Sequence, residues 1–221
     1  MSQSLFAYPK QAEFNRVLPK SKIYEHGKPS RAMRDCFATQ INQIVWQYKL
    51  APETINLPSR PNVPEIEIFS IELKTADISE DVLRCIDKAI PLPIFYNLSF
   101  EGRIKTVAAY KRPSDADASQ WVVDAYFESP WLPALGERSS LPIALDMAGL
   151  YEQMLRRLMS IPARSGETLK AHVERLTQLR GKQNEYAKLE VRLRRENQFN
   201  RKVEVNTKLR TLKTEIEILA R

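Results

Sequence analysis

Residues 166–221 constrain this chain more than any other stretch. They carry 14 Lys and Arg against 8 Asp and Glu, whereas the residues before them hold 20 against 19, so nearly all of the formal charge of +7 lies in the final quarter. The stretch has no proline, and its only glycines are Gly166 and Gly181. Apolar residues recur at helical spacing through Tyr186, Leu189, Leu193, Val203, Leu209, Leu212, Ile216 and Leu219. The pattern predicts a long basic helix, coiled-coil-like, appended to something compact.

The 221 residues suffice for one well-buried domain plus that appendage, and 43% hydrophobic with 28% charged residues is an ordinary globular balance. A pI near 9.4 points to an acidic partner. Nucleic acid ranks ahead of membrane, because no apolar amphipathic anchor accompanies the charge. Cys36 and Cys85 are isolated thiols without metal-ligand spacing, which fits a reducing compartment. His26 and His172, the only histidines, lie too far apart in sequence to suggest a metal or nucleophile site. The N-terminus lacks an apolar leader, and no run approaches the roughly 20 apolar residues of a bilayer span. A cytoplasmic protein with no membrane partner is expected.

Along the chain, Pro9 predicts a short helix over 10–18 that ends at Pro19, and 20–29 reads as a basic loop. Ser30 caps a predicted helix to about Leu50, with Met33, Phe37, Ile41, Ile44, Val45 and Tyr48 on one face. A short strand over 54–57 lies among Pro58, Pro61 and Pro64. Residues 65–74 form the strongest strand signal, apolar at both parities at their centre, as in a central strand covered on both faces. Asp77 and Glu80 suggest a capping box for a helix to Ile90. Strands over 94–100 and 103–111 flank Glu101-Gly102, a tight hairpin turn, and after a polar loop over 112–120 a further strand covers 121–128. Beyond a connector with Trp131, a helix runs from Ser140 to about Met159.

The fold class expected is α+β: a mostly antiparallel sheet of four or five strands covered by helices, with a C-terminal basic helical arm. The corresponding division is an N-terminal helical segment over 1–50, a core domain over 51–162 and the arm over 163–221.

Glu72-Leu73-Lys74 is the sharpest catalytic candidate. Residues two apart on a strand share a face, so Glu72 and Lys74 project together with Ser70. Pro64-Glu65 followed by Glu72-x-Lys74 is similar to the P-D…(D/E)-x-K signature of the restriction-nuclease superfamily, in which the acid helps bind Mg²⁺ and the lysine orients the attacking water. On that reading Glu72 is a catalytic and metal residue with Lys74 beside it, and Glu65 or Glu67 supplies the other acid. Two departures weigh against it. Glu65 has the opposite parity from Glu72, and a helix over 30–50 leaves too little chain for the strands that precede an E-x-K strand. A half-exposed strand end with a same-face Glu–Lys pair accounts for the triplet more simply. No G-x-S-x-G, glycine-rich phosphate loop or C-x-x-C occurs.

The basic arm is more regular. Lys188, Arg195 and Lys202 are seven apart, as are Arg194, Arg201 and Lys208. On a continuous helix these six cations form a stripe along about 30 Å, at ~1.5 Å per residue, suited to a phosphate backbone. The alternative is a solvated coiled-coil face with i,i+4 pairs such as Glu190–Arg194 and Glu204–Lys208.

Several segments together resemble an uncharacterised bacterial family, a domain of unknown function: residues 18–23, 48–57, 66–74, 86–91 and 196–206, the last reading Glu196-Asn197-Gln198-Phe199-Asn200-Arg201-Lys202-Val203-Glu204-Val205-Asn206. Members look like companions of DNA methyltransferases and helicase-type ATPases in restriction or phage-defence loci. The resemblance spans globular part and arm, and it brings no catalytic residues. It implies an accessory, non-catalytic subunit that docks a helicase or methyltransferase partner and contacts nucleic acid through its basic helix, with no cofactor. A divergent Mg²⁺-dependent nuclease and a homo-oligomer held by the arm are the alternatives.

Overall fold

The computed structural model describes residues 5–114 and 121–221 and divides into two compact units, residues 1–159 and 160–221. The expected loop over 112–120 falls largely outside the described residues.

Unit 1 is built on a seven-stranded sheet. Six strands lie side by side in chain order: β2 (Glu13–Val17), β3 (Ile41–Leu50), β4 (Ile66–Leu73), β5 (Ile94–Phe100), β6 (Arg103–Pro113) and β7 (Trp121–Glu128). The seventh, β8 (Leu132–Pro133), pairs with β6. Every pairing is antiparallel except β4–β5, whose parallel register requires a crossover, supplied by α4 (Glu80–Ala89). A separate parallel pair joins β1 (Leu5–Ala7) to β9 (Arg138–Ser140). The α+β class with a largely antiparallel sheet therefore holds, with more strands than the four or five expected.

The extra strands come from residues 1–50, which are part of the sheet and not a helical segment beside it. The predicted helix over 30–50 is α2 (Arg31–Gln40), capped by Ser30, followed directly by β3. Two bulges in β3 explain the misreading. Ile41, Ile44, Trp46 and Lys49 pair with Leu73, Ile71, Phe69 and Glu67 and so share one face, at spacings of 3, 2 and 3 that imitate a helix. The predicted helix over 10–18 is a single 3-10 turn, Lys10–Ala12, leading into β2. The expected loop over 20–29 is α1 (Lys20–Gly27), which buries Ile23. Gly27 is required there, since a Cβ would meet Cys85 Sγ of α4 at 3.2 Å. The expected strand over 54–57 is replaced by one helical turn, α3 (Pro52–Ile55), in which Thr54 Oγ1 accepts from the Ala51 N–H at 2.9 Å and donates to Lys49 O at 2.8 Å. The late helix starts at Met147, not Ser140, because Asp146 Oδ1 accepts the Gly149 N–H at 2.8 Å; this is α5 (Met147–Arg156).

Helices cover both faces of the sheet. α1, α2 and α4 pack Ile23, Phe37, Val82, Leu83 and Ile86 onto Phe69, Ile71, Tyr96 and Leu98. On the other face Tyr151 of α5 meets Phe95 edge-on at 6.1 Å and ties down β6, donating to Ala109 O and accepting from Lys111 N, each at 2.8 Å. β4 is buried on both faces along most of its length, as its mixed parity predicts. The β5–β6 turn is Glu101-Gly102, both residues at positive φ (46° and 72°), the geometry of a two-residue hairpin.

Unit 2 is a helical hairpin of α6 (Leu169–Arg195) and α7 (Phe199–Ala220). The predicted continuous helix is interrupted at residues 196–198, where Glu196 Oε1 accepts the N–H groups of Asn197 and Gln198 at 2.9 and 3.0 Å. Each helix keeps its own apolar seam. Leu176 and Leu179 are buried on α6, and Val205, Leu209 and Leu212 on α7. Val203, assigned to the seam from sequence, is exposed, because the count restarts after the break. A clasp closes the hairpin's base: Arg175 binds Glu167 at 2.7 and 2.8 Å and donates to Leu219 O and Pro162 O, each at 2.8 Å.

Candidate functional site

Glu72 and Lys74 stand at the end of β4, beside the junction of α2 and β3. Glu72 is exposed, and its Oε2 accepts from Asn42 Nδ2 at 2.7 Å. Lys74 turns to the C-terminus of α2 and donates from Nζ to Ala38 O at 2.8 Å. Lys20 does the same nearby, to Phe37 O at 3.0 Å and Ile41 O at 2.7 Å. Two lysines on the terminal carbonyls of a helix satisfy orphan acceptors and complement its negative end, a structural task.

The structure does not bring the other acids to Glu72. Glu65 lies at the opposite end of the strand and pairs with Lys49 at 2.7 Å. Glu67 shares the face of Phe69 and Ile71, away from Glu72, and is fully buried. Glu65 and Glu72 thus cannot hold one metal ion, and among the described residues no group of three His, Cys, Asp or Glu is arranged to bind one. One departure from the nuclease signature does disappear, since β2 and β3 are strands that precede the E-x-K strand.

The six cations singled out in the arm divide between the two helices at the hairpin's turn. Lys188, Arg194 and Arg195 end α6, and Arg201, Lys202 and Lys208 begin α7. All six are exposed. They lie within roughly 15 Å of the turn, at ~1.5 Å of rise per residue, so the expected 30 Å stripe becomes a compact tip. Among the described residues only Lys208 of the six forms an ion pair, with Glu204 at 2.7 Å. The expected Glu190–Arg194 pair is not made.

Electrostatics differ between the two helix ends. Arg192, Arg194 and Arg195 in the last turn of α6 complement its negative pole. The first turn of α7 has no acidic residue, and Gln198 supplies no side-chain cap. Arg201 and Lys202 therefore sit against the positive pole of α7, an arrangement that a bound anion relieves. Phe199, at the first position of the same helix, is 77% exposed.

The features not foreseen lie in unit 1. Lys111 and Asp87 form an ion pair at 3.1 Å with both side chains fully buried, and Tyr126 donates to the second oxygen of Asp87. Glu67 sits with Trp46, Ile23 and Phe69 in a mostly apolar pocket of about 240 Å³ between α1, α4 and the sheet. The signal for Glu67 was available: an acid inside a strand apolar at both parities has no exposed face to occupy. No described helix is long and apolar enough to cross a membrane.

No curated protein and no solved structure matches the chain. The resemblance read from the sequence extended over globular part and arm alike, and the family match has that extent: residues 6–216 fit the Domain of unknown function (DUF4391), and the chain belongs to this family.

Proposed function

We propose that the protein is a non-catalytic, nucleic-acid-binding subunit of a prokaryotic restriction or phage-defence complex. The hairpin tip of unit 2 grips phosphates, and unit 1 docks a helicase-type ATPase or DNA methyltransferase. One observation carries the nucleic-acid part. Five of six clustered, exposed cations lack an ion pair, and two of them are set against the pole of their own helix. Such a cluster is electrostatically incomplete without an anion, and polyphosphate releases counterions on binding it. The docking role and the defence setting rest on the sequence resemblance.

The test is duplex and single-stranded DNA binding by the full chain across a salt series. Replacing Arg194, Arg195, Arg201 and Lys202 with alanine should weaken binding to both and flatten the dependence on log[salt] by about one unit for each phosphate contact removed. Unchanged affinity in the variant, or binding insensitive to salt, overturns the proposal.

One observation favours a second reading, a divergent Mg²⁺-dependent nuclease. β3 lies antiparallel to β4 and sets Asn42 against Glu72. DNA cleavage with Mg²⁺ or Mn²⁺ that disappears in Glu72→Ala would carry it. With a single carboxylate and a lysine occupied in capping α2, no cleavage is expected.

A further inference from the structure

The pocket between α1, α4 and the sheet is graded in polarity from its inner end to its mouth. At the inner end Glu67 is fully buried, and neither of its carboxyl oxygens has a hydrogen-bond partner; the buried indole N–H of Trp46 has none either. Both residues line the cavity, whose walls are apolar through Ile23 and Phe69. α4 contributes only Ala89 and Ile90. At the mouth, Lys22 and His26 of α1 are exposed. Lys22 is held only by a surface pair with Glu25 at 2.9 Å.

Buried polar groups in folded proteins nearly always have partners, so two unpartnered side chains in one cavity point to a missing one. The charged groups around Glu67 fix what that partner must be. Burial and the neighbouring Glu65 carboxyl push the Glu67 carboxyl up to about 8, against smaller opposing effects of the Trp46 indole and Lys49. At neutral pH Glu67 is therefore a neutral acid, presenting an O–H donor and a C=O acceptor side by side. The complement of that pair is a ring edge with an acceptor beside an N–H donor. Adenine has such an edge; the Watson–Crick edge of guanine offers two adjacent donors and matches an ionised carboxylate instead. Flat apolar walls suit a heteroaromatic ring, and the lysine at the mouth suits an anion at the ligand's other end.

We propose that this pocket binds an adenine nucleotide, with the base edge on Glu67 and Trp46 and the phosphate at Lys22 and His26. The site belongs to unit 1 and is independent of the hairpin's grip on nucleic acid. A free mononucleotide and an adenine at a strand end share this chemistry.

The test is calorimetric titration of the full chain with AMP, GMP, adenosine and inorganic phosphate. At pH 7 AMP should bind at least about tenfold more tightly than GMP, the discrimination expected of one bidentate edge pair. AMP affinity should fall as pH rises through 8 and Glu67 loses its O–H. Glu67→Gln keeps a donor and an acceptor, so it should retain AMP within about threefold and lose that pH dependence. Glu67→Leu should lose about tenfold or more while its thermal melt shows it folded. Lys22→Ala should weaken AMP severalfold and leave adenosine unchanged. Displacement of AMP by an oligonucleotide ending in adenine would assign the pocket to strand ends, and no displacement would assign it to the free nucleotide. Failure of wild type to bind AMP, equal binding of AMP and GMP at pH 7, or undiminished AMP binding by Glu67→Leu each overturns the proposal. None of these outcomes bears on DNA binding at the hairpin.

Discussion

A lysine ammonium without water contact is tolerable only where its protons find acceptors, and Lys111 meets that condition. Nζ donates to Asp87 Oδ1 at 3.1 Å, to Asp87 O at 3.0 Å and to Ile90 O at 2.7 Å, joining β6 to the C-terminal end of α4. Burial pulls the Lys111 amine below its ordinary range, and Asp87 opposes the shift. Removing one partner of such a pair strands the other charge. Lys111→Met should therefore destabilise unit 1 by about 3–5 kcal/mol in urea unfolding. Glu67 makes a different prediction. Its carboxyl is raised in the folded protein, so between about pH 4.5 and 8 the folded state holds a proton that the unfolded state has lost. Stability of unit 1 should fall as pH rises through that window. Glu67→Gln should flatten the decline, which thermal melts from pH 5 to 9 would read; a wild-type melting temperature that rises across this range would contradict the assignment. Sequence reading drew attention to Glu72 because a motif passes through it, yet the acid with the unusual environment is Glu67. Motifs report residue spacing, whereas desolvation depends on what packs over the strand, here α1 and α4.

At the scale of the element, the hairpin sets stability against binding. Arg201 and Lys202 occupy the positive end of α7, where acidic residues are favoured by roughly 0.3–1 kcal/mol each. Arg201→Glu with Lys202→Glu should leave the melt of unit 2 unchanged or raise it slightly, while DNA affinity falls. A purely structural arm would show no loss of binding. The clasp at the other end has its own signature. Arg175 holds the Glu167 carboxyl down to about 2, so the clasp's contribution is present above the ordinary carboxylate range and is lost as pH falls toward 2. Helicity of unit 2 should therefore loosen on acidification sooner in Glu167→Gln than in wild type, measured by circular dichroism. The elements readable in advance were those whose period is undisturbed: β4, α4, the β5–β6 hairpin and β7. β3 was hidden by its bulges, and α1 by the lack of any acidic or polar N-cap, since it follows Pro19 directly. The arm was correctly read as helical and wrongly as continuous. Its break carries no Pro or Gly and depends on Glu196 folding back on two backbone N–H groups, which composition does not announce.

At the scale of the whole molecule, the chain joins two units whose cores are each internally closed. Unit 1 buries both faces of its sheet with its own helices, and unit 2 closes its base with Arg175 and its seam with leucines from both helices. Neither seam nor sheet borrows a layer from the other unit, so residues 1–159 should fold when produced alone. The two proposed ligands then separate cleanly. Truncation after Met159 should abolish salt-dependent DNA binding, because every cation at the hairpin tip is removed, and should leave AMP affinity and its decline above pH 8 unchanged, because every residue of the Glu67 pocket remains. Loss of both activities with loss of a cooperative melt would mean that unit 1 depends on unit 2 for its fold. Loss of AMP binding from a truncated chain that still melts cooperatively would mean that the pocket is not what binds the nucleotide. Light scattering on the same pair of proteins adds the oligomeric state: if the hairpin joins copies of the chain, mass per particle falls with truncation by more than the residues removed.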